Sequence, residues 1–533
     1  MKRDISVFAN LIADGCDKYG DKTILTFVDE AAGITETRSY NELYRNGNAL
    51  AAFLLEQGMQ KGDCFAVLLR NHPETVEALI AASISGCVMV PIDPRTRGEK
   101  LKFMLGNSSC RGVICADYNA ADISCAVADS ELEWTLLVLP EDAGIVGEGL
   151  PGLDSYFNVF SHEQSPVNVR SESGQDPLQI LYTSGTTGDP KGIVKGNAQF
   201  SVAGSVLPGL FGFTVDDVLY TGLSLTHGNA QFFTLAVSLA AGIPSVYSRK
   251  FSKSKLWDTV GKYGCTVFNL LGGMTAAVYS EPAKATDADN PVRMVISAGM
   301  PAAIWNEFAD RFDLQLFEVY GAAEGGLFWN DGSGPAGSFG QLTGNPMHDA
   351  RIVDQQGRTC GAGASGELIW RNRDDSAVVV EYLGNPEASK KKTADGWFRT
   401  GDIVHTDQNG WLFFDYRDGG GIRRNGDFIN PGFIEKAIAE QDAIDDVLVY
   451  GVPAASGAPG EKDVVAAIVA RDGENLDANA VFSCCRKLLE SNFVPSYLQL
   501  VSETPKTASE KPQERFLLER FAPDADGIYT EQR

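Results

Sequence analysis

The chain has 533 residues, 44% of them apolar and 22% charged, a globular composition on a chain too long for one hydrophobic core. With 45 Lys and Arg against 70 Asp and Glu the formal charge is -25, and no basic block stands out. That excludes a general positive field for nucleic acid or an anionic membrane, so an anionic ligand needs a local site. Ten cysteines are scattered with no Cys-x-x-Cys and no paired zinc spacing, which fits buried thiols in a reducing compartment.

The opening MKRDISVFANLIADG carries Lys2 and Arg3, but Asp4 and Asp14 interrupt any apolar run. No signal peptide is expected, and the chain reads as cytoplasmic. Ser39 and Glu42 form a capping box ahead of Leu43, Leu50, Phe53 and Leu54, which predicts a helix stopped at Gly58. A strand over 65–69, a helix over 73–85 and a strand over 88–92 follow. The apolar stretch 78–92 contains Ser83 and Ser85 and is short for a membrane span. Strands are also expected at 179–183, 292–297 and 314–320, with a helix at 302–312 before the last. This alternation predicts an α/β fold with parallel or mixed sheets, whose ligands sit in loops at strand carboxyl ends.

Directly after the 179–183 strand comes the string 181–192, LYTSGTTGDPKG. Thr183, Ser184, Thr186 and Thr187 supply hydroxyls, Gly185 and Gly188 let backbone amides approach an anion, and Lys191 adds charge, which together make a phosphate cradle. It is not a Walker loop, because Asp189 and Pro190 follow Gly188. A second loop, Tyr320-Gly321-Ala322-Ala323-Glu324, likewise follows a strand, and the two could converge on one ligand. Two Gly-x-Gly-x-x-Gly matches, at Gly332, Gly334 and Gly337 and at Gly361, Gly363 and Gly366, do not open a helix after a strand and read as turns. Neither a Gly-x-Ser-x-Gly elbow nor a His-Glu-x-x-His occurs.

Near Asp415 the texture changes, and 416–421, YRDGGG, reads as a polar crossing point with Gly419 as pivot. The expected domains are 1–417 and 418–533. Beyond the pivot a helix is predicted near 433–440, strands at 447–452 and 464–469, and a helix near 481–489.

Five separated strings, 181–192, 320–324, 396–402 (GWFRTGD), 423–427 (RRNGD) and 505–511 (PKTASEK), resemble in order and spacing the core motifs of the adenylate-forming superfamily of acyl-CoA synthetases, adenylation domains and firefly-type luciferases. Within it, 226–231 (THGNAQ) and 267–272 (VFNLLG) look most like the crotonobetaine/carnitine-CoA ligase branch. The resemblance implies a large N-terminal multi-sheet α/β domain and a smaller, mobile C-terminal α+β lid. It also implies two half-reactions: a carboxylic acid attacks the α-phosphate of Mg-ATP to give acyl-AMP and pyrophosphate, and a thiol, usually that of CoA, then displaces AMP. ATP, Mg²⁺ and CoA are the cofactors so implied.

By the same resemblance, Thr183, Ser184, Gly185, Thr186, Thr187 and Lys191 hold the β- and γ-phosphates, and Glu324 ligates Mg²⁺. Gly299, Tyr320, Gly321 and Ala323 surround the adenine and α-phosphate, while Asp402 and Arg417 meet the ribose. Lys511 reaches the α-phosphate and the incoming carboxylate, and His227 lies beside the acyl channel. Arg424 and Gly426, in a basic glycine-containing stretch, are expected at CoA. Acceptor alternatives are CoA and the phosphopantetheine of a carrier protein, the latter disfavoured because carriers are also acidic. A nucleotide-binding homologue without turnover is the third reading. An oligomer is compatible with the sequence.

Several positions depart from the family pattern. Ala323 stands for the usual threonine of Tyr-Gly-x-Thr-Glu, Gly419 for an Asp or Lys hinge, Phe433 for a glutamate, and Glu510 for the glycine before the lysine, with Pro512 after it. Lys195 and Gly196 stand near where a Ser-His pair is often found.

Overall fold

The computed structural model describes residues 3–127, 132–138, 150–160, 165–183, 190–417, 422–424, 427–429, 431–455, 462–471, 476–489, 493–506 and 512–531. They fall into two compact units. The first holds the residues up to Thr183, then 190–340 and Val379–Lys391; the second holds Gln341–Val378 and the described residues from Lys392 on.

The first unit contains two large sheets. One runs in the order Leu153–Ser155, Trp134–Val138, Cys110–Ala116, Cys64–Leu68, Val88–Pro91, Pro177–Thr183, Lys191–Gly196, parallel throughout except for its last pair. The other has a parallel centre, Gln315–Ala322, Met294–Ala298, Val267–Leu271, Leu219–Thr221, Ser245–Ser248 and Thr23–Asp29. An antiparallel partner closes each of its edges, Gly325–Asn330 on one side and Ile34–Ser39 on the other. Parallel strands need covered faces, and the helices supply the cover.

The helix Tyr40–Glu56 starts as its sequence predicts. Ser39 Oγ accepts from the Glu42 amide at 3.2 Å, and the Glu42 carboxylate accepts from the Ser39 amide at 2.8 Å. Helix Pro73–Ser85 opens with proline at its first turn and ends at Gly86 in the left-handed region. Every residue of it is buried, which accounts for an apolar run too short to be a membrane span. A Cβ at Gly47 would lie 2.4 Å from Ile80 Cγ2, so glycine is what lets these two helices meet. Among the described residues no helix is long and apolar enough to cross a membrane.

In the second unit, His348–Val353, Gly366–Asn372, Phe398–Thr406 and Trp411–Arg417 pair antiparallel in that order. A smaller mixed sheet follows, Ile444–Pro453, Lys462–Ala470, Tyr497–Leu500 and Ile528–Thr530. Helices Pro431–Ala439 and Ala478–Leu488 bury Ile434, Ile438, Val481 and Phe482 against Val449, Val464 and Ile468 of that sheet. The fold is thus α/β, with large N-terminal sheets and a separate, smaller α+β C-terminal part.

The predicted helix at 302–312 is split, with a 3-10 turn Ala302–Ile304 after Pro301 and the α-helix Trp305–Phe312. Both glycine patterns are turns: Asn330 Oδ1 accepts from the Gly332 and Gly334 amides at 3.0 Å each, and the Ala364 amide donates to the Gly361 carbonyl at 3.1 Å.

Candidate functional site

In the first unit, the strand Gln315–Ala322 runs into a tight hairpin with Gly325–Asn330, Ala322 facing Gly325 after a register shift at Gly321. A Cβ at Gly321 would stand 2.9 Å from the Gly326 carbonyl oxygen, so the turn is built on close backbone approach. Gly325 and Gly326 take φ of +142° and +82°, values that favour glycine. Tyr320 is stacked on Phe339 with ring centroids 4.7 Å apart, which fixes an aromatic edge beside the turn.

Glu324 is held at both ends. Its carboxylate accepts from the Tyr382 hydroxyl at 2.7 Å, and its carbonyl oxygen accepts from Lys195 Nζ at 3.2 Å. Lys191 Nζ lies 5.3 Å from the Tyr382 ring centroid, a cation–π distance. Tyr382 is placed by main-chain bonds along the Lys191–Gly196 strand: it bridges Ile193, the Val194 amide donates to the Glu381 carbonyl at 3.0 Å, and the Leu383 amide to the Gly192 carbonyl at 2.8 Å. One tyrosine therefore joins the expected phosphate lysine to the expected metal carboxylate. Nothing local in the sequence around Tyr382 announces this, because the pairing crosses almost two hundred positions of chain. Burial pulls the Lys195 ammonium down to about 8, with Glu324 opposing the shift.

The neighbouring strand Met294–Ala298 ends in Gly299, with φ +92°. The Gly299 and Met300 amides donate to the Glu318 carboxyl at 2.5 and 3.1 Å, so one side chain clamps the carboxyl ends of two adjacent parallel strands. Burial raises Glu318 to about 8, against the pull of those amides and of Ser297. The sign follows directly: from the ordinary 4.5 up to about 8 the unfolded chain releases this proton and the folded chain keeps it, so stability falls as pH rises through that window. Glu318→Gln is expected to flatten that slope in denaturant midpoints measured from pH 4 to 9; an unchanged slope would contradict the assignment.

His227 accepts the Asn229 amide on Nδ1 at 3.2 Å, which keeps the proton of the neutral ring on Nε2. Its carbonyl accepts from Gln231 at 3.3 Å at the start of a π-helical turn, Ala230–Ala236. Gln231 and Gln179, both buried, exchange amide bonds of 2.7 and 3.1 Å. The Asn269 side-chain amide donates to the Asn229 side chain, and Thr234 Oγ1 donates to Asn269 Oδ1 at 3.4 Å, so the region around His227 is polar.

In the second unit, Asp402 is buried on the strand Phe398–Thr406 and faces Arg417 across the antiparallel pair. Its amide donates to Thr400 Oγ1 at 3.0 Å, and Lys392 Nζ holds the Arg399 and Thr400 carbonyls at 2.7 and 2.9 Å. Arg424 is buried, its guanidinium donating to the Val494 carbonyl at 2.6 Å. Thr183 ends its strand. Ser184, Gly185, Thr186, Thr187, Gly419, Gly426, Glu510 and Lys511 lie outside the described residues, as do the side chains of Thr183, Arg417 and Phe433.

The first unit thus places one oriented carboxylate, Glu324, beside two lysines at the end of a parallel strand, on an α/β body with a separate C-terminal part. Family comparison gives the class: the AMP-binding enzyme model matches residues 12–382, and the AMP-binding enzyme C-terminal domain matches residues 434–511. The chain belongs to the AMP-binding enzyme family, and in class it is an AMP-forming acid–thiol ligase. Crotonobetaine/carnitine–CoA ligases of Salmonella heidelberg and Salmonella typhimurium are each 29% identical over 511 residues, 92% of this chain and 95% of theirs. In fold it is similar to ATP-bound MatB from Rhodopseudomonas palustris, with a TM-score of 0.81, 24% identity and coverage of 96% of this chain and 98% of that one. It is also similar to o-succinylbenzoate CoA synthetase from Bacillus subtilis in complex with its acyl-adenylate intermediate, with a TM-score of 0.80, 19% identity and coverage of 98% and 99%.

Proposed function

We propose that the residues above divide the two half-reactions of this ligase between them. The reaction is ATP-dependent activation of a carboxylic acid to acyl-AMP and pyrophosphate, followed by thioester formation with CoA. Its first step brings two anions together, so the protein's work is positioning and neutralisation of charge.

The donor set fits Mg²⁺. That cation takes one or two carboxylates and completes its shell with water and substrate phosphate, and Glu324 offers one carboxylate oriented by Tyr382. When bound, Mg²⁺ would spread the negative charge of the phosphates.

The stretch Thr183 to Thr187 with Lys191 cradles the β- and γ-phosphates. Tyr320, Gly321 and Gly299 flank the adenine, Ala323 faces the α-phosphate, and Asp402 with Arg417 holds the ribose hydroxyls. His227 lies beside the channel of the acid, its ring held by the Asn229 amide on Nδ1. Lys511, carried by the lid 418–533 turning at Gly419, neutralises the α-phosphate and carboxylate during adenylation. Arg424 and Gly426 serve the CoA side of the lid.

The observation that carries this reading is the Tyr382 bridge between Lys191 and the Glu324 carboxylate. For the acid we favour a small or medium polar carboxylate, in keeping with the polar set Asn229, Asn269 and Thr234 and with the likeness to carnitine-type ligases. Incubation with a panel of acids, ATP, Mg²⁺ and CoA, followed by mass spectrometry, is expected to yield an acyl-CoA. Adenylate formation without any acyl-CoA would refute CoA as acceptor.

A further inference from the structure

Lys195 departs from its surroundings in two ways. It is a cation on the inner strand face, directly opposite Gln179, whose amide is locked to the buried Gln231. Its Nζ reaches the Glu324 carbonyl at 3.2 Å. The residue before Glu324 is Ala323, which offers the turn no hydroxyl, and the two residues after it are glycines at positive φ. The hairpin ladder closes at Ala322 and Gly325, so the direction of the Glu324 side chain within the turn depends on what grips that residue. Among the described residues two side chains do: Tyr382 takes the carboxylate and Lys195 takes the main chain of the same residue. A carboxylate hinged at one end only can swing; one fixed at backbone and tip presents its second oxygen in one direction.

We infer that Lys195 is a positioning residue for adenylation, its ammonium holding the main chain of Glu324 so that the carboxylate meets the nucleotide-borne divalent cation in a single orientation. This rests on the reading of Glu324 as the metal ligand. The bond donates from a charged group, and loss of such a bond corresponds to about a ten- to hundredfold change in an equilibrium constant.

The test is equilibrium binding of Mn²⁺-ATP, read by the paramagnetic signal of free Mn²⁺, for the full-length wild type and for Lys195→Met, Lys195→Arg and Glu324→Gln. Lys195→Met is expected to weaken binding about ten- to hundredfold and to raise KM for Mg-ATP more than it lowers kcat. Lys195→Arg, which keeps a charged donor, is expected to stay within about threefold of wild type. Lys195→Gln replaces the Met variant if the latter does not fold, with the same loss expected. Wild-type binding by Lys195→Met beside weakened binding by Glu324→Gln overturns the inference and leaves the role of Glu324 standing. Wild-type binding by Glu324→Gln overturns the metal-ligand reading and this inference with it.

Discussion

Lys511→Ala is expected to lower acyl-AMP formation by roughly a hundred- to a thousandfold while leaving thioester formation from supplied acyl-AMP within a few-fold of wild type. The asymmetry follows from charge. In the first half-reaction a carboxylate approaches a phosphate, and an ammonium between them stabilises a transition state richer in negative charge than either reactant alone. In the second half-reaction the acyl-adenylate mixed anhydride already exists, and a thiol attacks its carbonyl. In the role proposed for Lys511 there is no corresponding anion pair to neutralise there. The check is pre-steady-state: pyrophosphate release for the first half, AMP release from synthetic acyl-AMP with CoA for the second. Equal loss in both halves would contradict the assigned role.

Glu324→Gln is expected to lower kcat/KM for Mg-ATP by about a hundredfold and to shift activation by free Mg²⁺ to higher concentration. The substitution isolates the charge. A glutamine oxygen can still accept from the Tyr382 hydroxyl, so the turn keeps its shape, and only the anionic donor for a hard cation is lost. The Mg²⁺ dependence of pyrophosphate–ATP exchange measures it; an unchanged Mg²⁺ profile would show that Glu324 does not meet the metal.

Much of the scaffold was legible because its signals are local. Ser39 and Glu42 form their capping box, Pro73 opens its helix, and both glycine patterns resolve into turns held by Asn330 and Gly361. The turn at Tyr320 to Glu324 was legible as a string, since its glycine and carboxylate are adjacent in sequence. What grips that turn was not. Tyr382 reaches Glu324 from a segment without periodicity, paired to a strand that it follows by almost two hundred positions, and Glu318 looks in sequence like any charged residue of a strand. Lys195 was visible only as a departure from an expected pair, and its contact with Glu324 depends on the hairpin register that sets it opposite Gln179. Arg424, which the resemblance places at CoA, also donates from its guanidinium to the Val494 carbonyl, a long-range contact that no local pattern encodes.

Ala323 bears on efficiency more than on class. On the proposed reading a threonine there would add one hydroxyl facing the α-phosphate, and a single such donor is worth about a hundred- to a thousandfold in rate where nothing replaces it. Lys195 and Tyr382 hold the adjoining Glu324 by its carbonyl and its carboxylate.

The most direct measurement of the central claim is carboxylate-dependent exchange of labelled pyrophosphate into ATP by the full-length protein across a broad acid panel. The account predicts exchange that requires Mg²⁺ and at least one small or medium polar acid. No exchange with any acid, under conditions where the protein is folded and binds Mg-ATP, would contradict it and leave a nucleotide-binding homologue without turnover.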